Sequence, residues 1–166
     1  MIKNPVFFFN SNGIYENPIF FMDNKNFCNF EVDGNPRGKQ RPRVVTRGGF
    51  ARAYTPKETV DYENSIRRSY KYMTGNRLFN SAIEADIIAE FAIPKSARKR
   101  DIPKMLKNEM PYLSKPDCDN IGKVVLDGLN NIAYPDDSHV INLNAKKKYG
   151  KKPMIRVILK QSNGGL

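Results

Sequence analysis

Apolar and polar residues alternate along several stretches of this chain and recur at helical spacing along two others. Phe27 to Asp33 sets Cys28, Phe30 and Val32 on one side and stops at Gly34, which predicts a strand. Strict alternation from Ala85 to Ile93 puts Ala85, Ile87, Ala89, Phe91 and Ile93 on one side and Asp86, Ile88 and Glu90 on the other, and Pro94 ends it. Alternation at Ile141, Leu143 and Ala145, a YGKKP turn and the apolar run Met154 to Leu159 predict two closing strands. Thr55-Pro56-Lys57-Glu58 has the form of a capping box with proline at the first helical position. The following helix brings Val60, Ile66, Tyr70 and Met73 near one face and stops at Gly75. A second helix is predicted from about Asn120 to Asn131. Strands interleaved with two main helices predict an α+β (mixed α/β) fold around one mixed sheet, with no internal repeat.

A length of 166 residues fits one small domain. The pattern assigns 27–160 to that domain and 161–166 to a tail. Residues 1–26 form an amino-terminal arm or hairpin, with two short Phe/Ile runs broken by Asn, Pro and Gly. Neither run approaches the roughly 20 apolar residues of a membrane span, so no membrane attachment is expected. Cys28 and Cys118 stand far apart without CxxC spacing, which argues against a zinc knuckle or a disulfide framework and fits a reducing, cytoplasmic setting.

Charge changes this picture most. Lys and Arg number 28 against 17 Asp and Glu, a net charge of +11, which favours a polyanionic partner and nucleic acid first. The segment GNPRGKQRPRVVTRGGFARAYTP reads as an open loop carrying Arg37, Lys39, Arg41, Arg43, Arg47 and Arg52 with no acid among them. Residues 95–115 form a second long connection with seven cations and two acids, Arg98, Lys99 and Arg100 among the cations. Arg37, Lys39, Arg41 and Arg43 from the first segment, Arg98, Lys99 and Arg100 from the second, and Lys146 and Lys148 from a closing strand are the candidate DNA contacts.

Acids gather around one apolar segment of this basic chain, KPDCDNIGKVVLDGLNNIAYPDDSHV. Asp117 and Asp119 leave an extended segment on the same side. In a helix, Asp119, Lys123 and Asp127 share a face while Ile121, Val124, Val125, Leu129 and Ile132 point elsewhere. Asp136 and Asp137 lie beyond the other end, so a strand pairing beside Asp117 would have to carry Asp137 back. An aspartate at a helix start is a common capping device and Tyr-Pro-Asp-Asp is an ordinary turn, so each feature alone has a structural explanation. Together they favour a cluster of oxygen ligands for Mg²⁺ or Mn²⁺, which leaves positions for phosphate oxygens and suits phosphodiester hydrolysis. Lys123 would orient the nucleophile or neutralise transition-state charge. His139 is the sole histidine, which rules out a histidine metal cage, and no GxxxxGK[ST] phosphate loop occurs.

The same stretch resembles the signature of the RusA family of Holliday-junction resolvases, with its D-x-D-N-x-x-K helix start, an Asp four residues on and a later D-D-x-x-V. GNPRGKQRPR and YTPKETVDYENSI are also similar to the amino-terminal half of many members, so the likeness spans roughly Phe27 to Leu159. The resemblance implies a homodimeric, Mg²⁺-dependent endonuclease, often encoded by phages or prophages, that cuts symmetrically at four-way DNA junctions in recombination and repair. Mn²⁺ would substitute for Mg²⁺, and the setting would be a bacterial or phage-infected cytoplasm. By that likeness Asp117, Asp119 and Asp137 match the metal-binding carboxylates and Lys123 the essential lysine. Asp136 is the weaker member of its pair, and Asp127 matches a helix aspartate that supports the site or the fold. Two rivals stand beside this reading. One is a non-catalytic binder of branched DNA or RNA. The other is a restriction-type nuclease suggested by Pro116-Asp117, which lacks the strand-borne [DE]-x-K that type needs after Asp119.

Overall fold

A computed structural model describes residues 7–10, 13–16, 26–47 and 49–162. Four strands form a mixed sheet in the order β3 (Phe27–Asp33), β8 (Met154–Gln161), β6 (Ile83–Ala92), β7 (Val140–Gly150). β8 runs antiparallel to both neighbours, whereas β6 and β7 are parallel. A parallel pair needs a crossover, and here it contains the short helix α2 (Ile102–Leu106) and the helix α3 (Cys118–Leu129). Helix α1 (Lys57–Thr74) precedes β6. The architecture is the expected α+β domain on one mixed sheet, with a third, short helix inside the 95–115 connection.

One face of the sheet is the core. Phe30 and Val32, Ile155 and Val157, and Ile83 and Ile87 are buried beneath Ile66 and Tyr70 of α1 and Ile121, Val124, Val125 and Leu129 of α3. Phe30 meets Tyr70 edge-on at 5.4 Å between ring centroids. The opposite face carries charge, with Arg156 Nη2 2.8 Å from Glu31 Oε1 across paired strands. Gly128 allows the helices to approach: a Cβ there would lie 3.3 Å from Ile66 Cγ2, and Arg67 Nε donates to the Gly128 carbonyl at 2.9 Å.

Four sequence expectations change. Pro56, with φ −56° and ψ 140°, takes the N-cap place of α1, and no side-chain cap bond forms. Glu58 instead accepts from Arg37 and Gln40 at 3.0 and 3.4 Å. The buried face of α1 is Thr59, Tyr62, Glu63, Ile66 and Tyr70, whereas Val60 and Met73 are exposed. Helix α3 starts two residues earlier than expected, which puts Asp119 in its first turn. The arginine-rich segment is in part a hairpin: β4 (Arg43–Arg47) pairs antiparallel with β5 (Phe50–Tyr54), and Gly49 in its turn has φ +80°. A two-residue Gly-Gly connection is a hairpin signal, and it dominates over the repulsion among the arginines. Within the arm, β1 (Phe7–Asn10) pairs with β2 (Gly13–Glu16), and the remainder of 1–25, with 163–166, lies outside the described residues.

Candidate active site

Asp117 is the N-cap of α3, with φ −75° and ψ 155°, yet its side chain makes no cap hydrogen bond. Asp119 follows one position into the first turn, and both residues are exposed. Neither carboxylate has an ion pair or hydrogen-bond partner among the described residues, so four oxygens stay available where helix N–H groups favour negative charge. The segment ahead of them is tied to the sheet, because Lys147 Nζ donates to the carbonyls of Ser114 and Pro116 at 2.9 and 3.0 Å. On the other side, the Lys39 N–H donates to the Asn120 carbonyl at 2.9 Å. Gly38 makes this approach feasible, since a Cβ there would come within 2.8 Å of Pro116 Cβ. An open cleft of about 460 Å³ lies between loop and helix, lined by Arg37, Gln40, Glu58, Lys115 and Asp117 among others.

Along α3, Lys123 is 60% exposed and lies 3.6 Å from Asp127 Oδ1. The other Asp127 oxygen is 2.8 Å from Lys39 Nζ, which also donates to Glu63 Oε1. This four-membered cluster joins the 34–42 loop, α1 and α3. Burial by itself would lower the Lys39 pKa, but hydrogen bonds and charge from Asp127 and Glu63 hold it above its ordinary 10.5. Lys39 was expected among the phosphate contacts. Its ammonium is instead occupied by two carboxylates, because the buried Glu63 needs a cation.

Asp137 opens a short 3₁₀ turn (Asp137–His139) ahead of β7. The Asp136 side chain caps that turn by accepting from the Ser138 N–H at 3.0 Å, and the Ser138 bonds hold its carboxyl below the usual range. Tyr134 bonds the Leu126 carbonyl through its hydroxyl at 3.1 Å. Burial raises its pKa, and the Asp137 and Asp127 carboxylates raise it further. Lys147 sits at Pro116 and Leu143 against Gly122, so β7 runs antiparallel to α3. Asp137, ten residues before Lys147, therefore belongs at the opposite helix end from Asp117. The rise from Asp119 to Leu129 alone is about 15 Å. Among the described residues no three His, Cys, Asp or Glu lie close enough to hold a metal ion. Asp117 and Asp119 are together; Asp137 is not brought to them within one chain, because β7 pairs with β6 and not beside Asp117.

The remaining expected DNA contacts divide by partner. Arg41, Arg43, Arg98, Lys99 and Lys146 are exposed and have no ion pair among the described residues, whereas Arg100 lies 3.6 Å from Asp101. Arg37 pairs with Glu58, and Lys148 pairs with Glu90 at 3.0 Å and is 23% exposed. Glu63 escaped the sequence reading, since a lone acid on an apolar helix face gives no sign of its partner. The pairing of 43–47 with 50–54, which fixes where Arg52 and Phe50 sit, was not expected because the segment reads as loop; the Gly-Gly between two β-forming runs was the available signal.

Residues 33–160 match the family described as Endodeoxyribonuclease RusA. The chain is also 28% identical over 134 residues to "Uncharacterized protein YqaN" of Bacillus subtilis (strain 168), covering 80% of this chain and 94% of that protein.

Proposed function

Because the chain belongs to the RusA endodeoxyribonuclease family, whose members hydrolyse phosphodiester bonds in DNA, we propose that it is a Mg²⁺-dependent resolvase that acts on four-way junctions as a homodimer. The observation that carries this reading is the pair of uncommitted carboxylates, Asp117 and Asp119, at a helix start that opens on a cation-lined cleft. Nucleases of this family are generally divalent-metal dependent, and an all-oxygen donor set fits a hard divalent cation. Asp117, Asp119 and Asp137 would hold it. When bound, the ion activates water and stabilises charge on the phosphoryl oxygens.

The chain's own groups do the rest. Lys123, steadied by Asp127 and mostly exposed, offers N–H donors to a phosphate oxygen as negative charge develops. Arg41 and Arg43 neutralise flanking phosphates. The placement of the acids at opposite ends of α3 supports a two-fold dimer in which each site takes Asp117 and Asp119 from one copy and Asp137 from the other. A symmetric pair of such sites suits paired cuts in a roughly two-fold junction. Among the described residues no helix is long and apolar enough to cross a membrane.

The test is gel cleavage of a labelled mobile four-way junction beside a linear duplex of the same sequence, with Mg²⁺ or EDTA, for wild type and Asp119→Asn. Paired symmetric nicks confined to junction, Mg²⁺ and wild type are expected. Tight binding without cutting, in Mg²⁺ and again in Mn²⁺, would make this a binding protein.

A further inference from the structure

Among the described residues the β4–β5 hairpin pairs with no other strand, and every described side chain on it is exposed. Directly opposed residues of an antiparallel pair share a face. The pairs Arg43 with Tyr54 and Val45 with Arg52 therefore lie on one side, and the register places Phe50 there too. Phe50 is 82% and Tyr54 44% exposed, and neither has a ring partner among the described residues. The opposite side carries Val44, Thr46, Ala51 and Ala53. One face thus combines free guanidinium groups with bare aromatic rings, and the other has neither.

Two observations say what would cover that face. Residues 34–57 contain no acid, and Arg43 and Arg52 have no carboxylate partner among the described residues, so the complement is a polyanion. The hairpin also springs from the rim of the cleft, because Arg43 is four residues past Lys39, at most about 14 Å of chain from its bond to α3. Each five-residue strand extends about 17 Å further. Phosphate alone gives an aromatic ring nothing to do, and stacked duplex bases offer it no face. Arginine interleaved with aromatics instead suits bases that have lost a stacking neighbour.

We infer that the hairpin is a junction-reading element: Arg43 and Arg52 grip the backbone while Phe50 stacks on an unstacked base at the branch point. This rests on the nuclease reading above and adds to it the residue that tells branched from linear DNA. The chain has no tryptophan, so Phe50→Trp supplies a single tryptophan at this position, which red-edge excitation reads apart from the tyrosines. In an Asp119→Asn background, its emission is expected to be quenched by a four-way junction and not by linear duplex. Phe50→Leu should weaken junction binding at least about five-fold, the loss of one stacked base, with duplex binding unchanged and Phe50→Trp retaining affinity. Emission indifferent to the junction, equal quenching by duplex, or unaltered junction affinity in Phe50→Leu would overturn the inference, since an exposed hairpin position leaves the core intact. Wild-type cutting of the junction in Mg²⁺ is read in parallel. Cutting without a Phe50 effect removes the hairpin's role alone, and quenching without cutting removes the nuclease reading alone.

Discussion

Replacing Lys39 by methionine keeps the length of the side chain and removes its charge, leaving Glu63 and Asp127 facing each other without their shared cation. Removing one partner of a buried ion pair costs about 3–5 kcal/mol. The Glu63 side chain is only 11% exposed, but Asp127 is 20% exposed and keeps Lys123 nearby, so water and that second cation relieve part of the penalty. The expected loss is about 2–3 kcal/mol, which in a chain of this size lowers Tm by roughly 5–10 °C. Urea unfolding measures the first quantity and a thermal scan the second. Lys39→Met combined with Glu63→Gln should regain part of the loss, because the buried charge goes with its partner. The folded-state pKa of Lys39 is raised above 10.5, so its contribution is fully present below that value and disappears as pH rises through the higher folded pKa. The gap between wild type and Lys39→Met should therefore be level from pH 7 to 10 and shrink above. A stability change within 0.5 kcal/mol, roughly the scatter of an ordinary surface substitution, together with weaker DNA binding and a flatter salt slope, would refute the argument and return Lys39 to the phosphate contacts.

Asp117→Asn or Asp119→Asn should abolish junction cutting while gel-shift affinity holds; wild-type turnover by either would remove the carboxylate from the site. Lys123→Ala should lower the single-turnover rate by 10²-fold or more, the order of one electrostatic donor, with little change in affinity, whereas a mainly salt-dependent binding loss would make it a phosphate contact. Arg41→Ala with Arg43→Ala should flatten the slope of log K against log salt by about 1–2, and an unchanged slope takes that segment out of the footprint. Mixing the inactive Asp119→Asn and Asp137→Asn proteins should restore nicking if each site draws on two copies, because one of the two sites in a mixed dimer is then intact. Persistent inactivity of mixtures proven to exchange subunits would place the whole site in one chain.

Local pattern determined much of this protein. The strands at Phe27–Asp33 and Ile83–Ala92, the stop of α1 at Gly75, the helix after Asp117 and the existence of the two closing strands follow from period-2 or helical spacing and their flanking Gly and Pro, information held within a few residues, although those two strands do not pair as a hairpin because β6 lies between them. So did the gathering of Asp117, Asp119, Asp136 and Asp137 about one apolar helix and the acid-free run of arginines. Partners far apart in sequence were beyond it. Glu63 lies 24 residues from Lys39, and Lys39 became an internal counter-ion only when α1 packed on α3. Lys148 and Glu90 met because β7 lies parallel to β6. That same parallel crossover sends β7 back along α3 and separates Asp137 from Asp117 by the length of a helix, a consequence of strand order that no spacing of aspartates encodes.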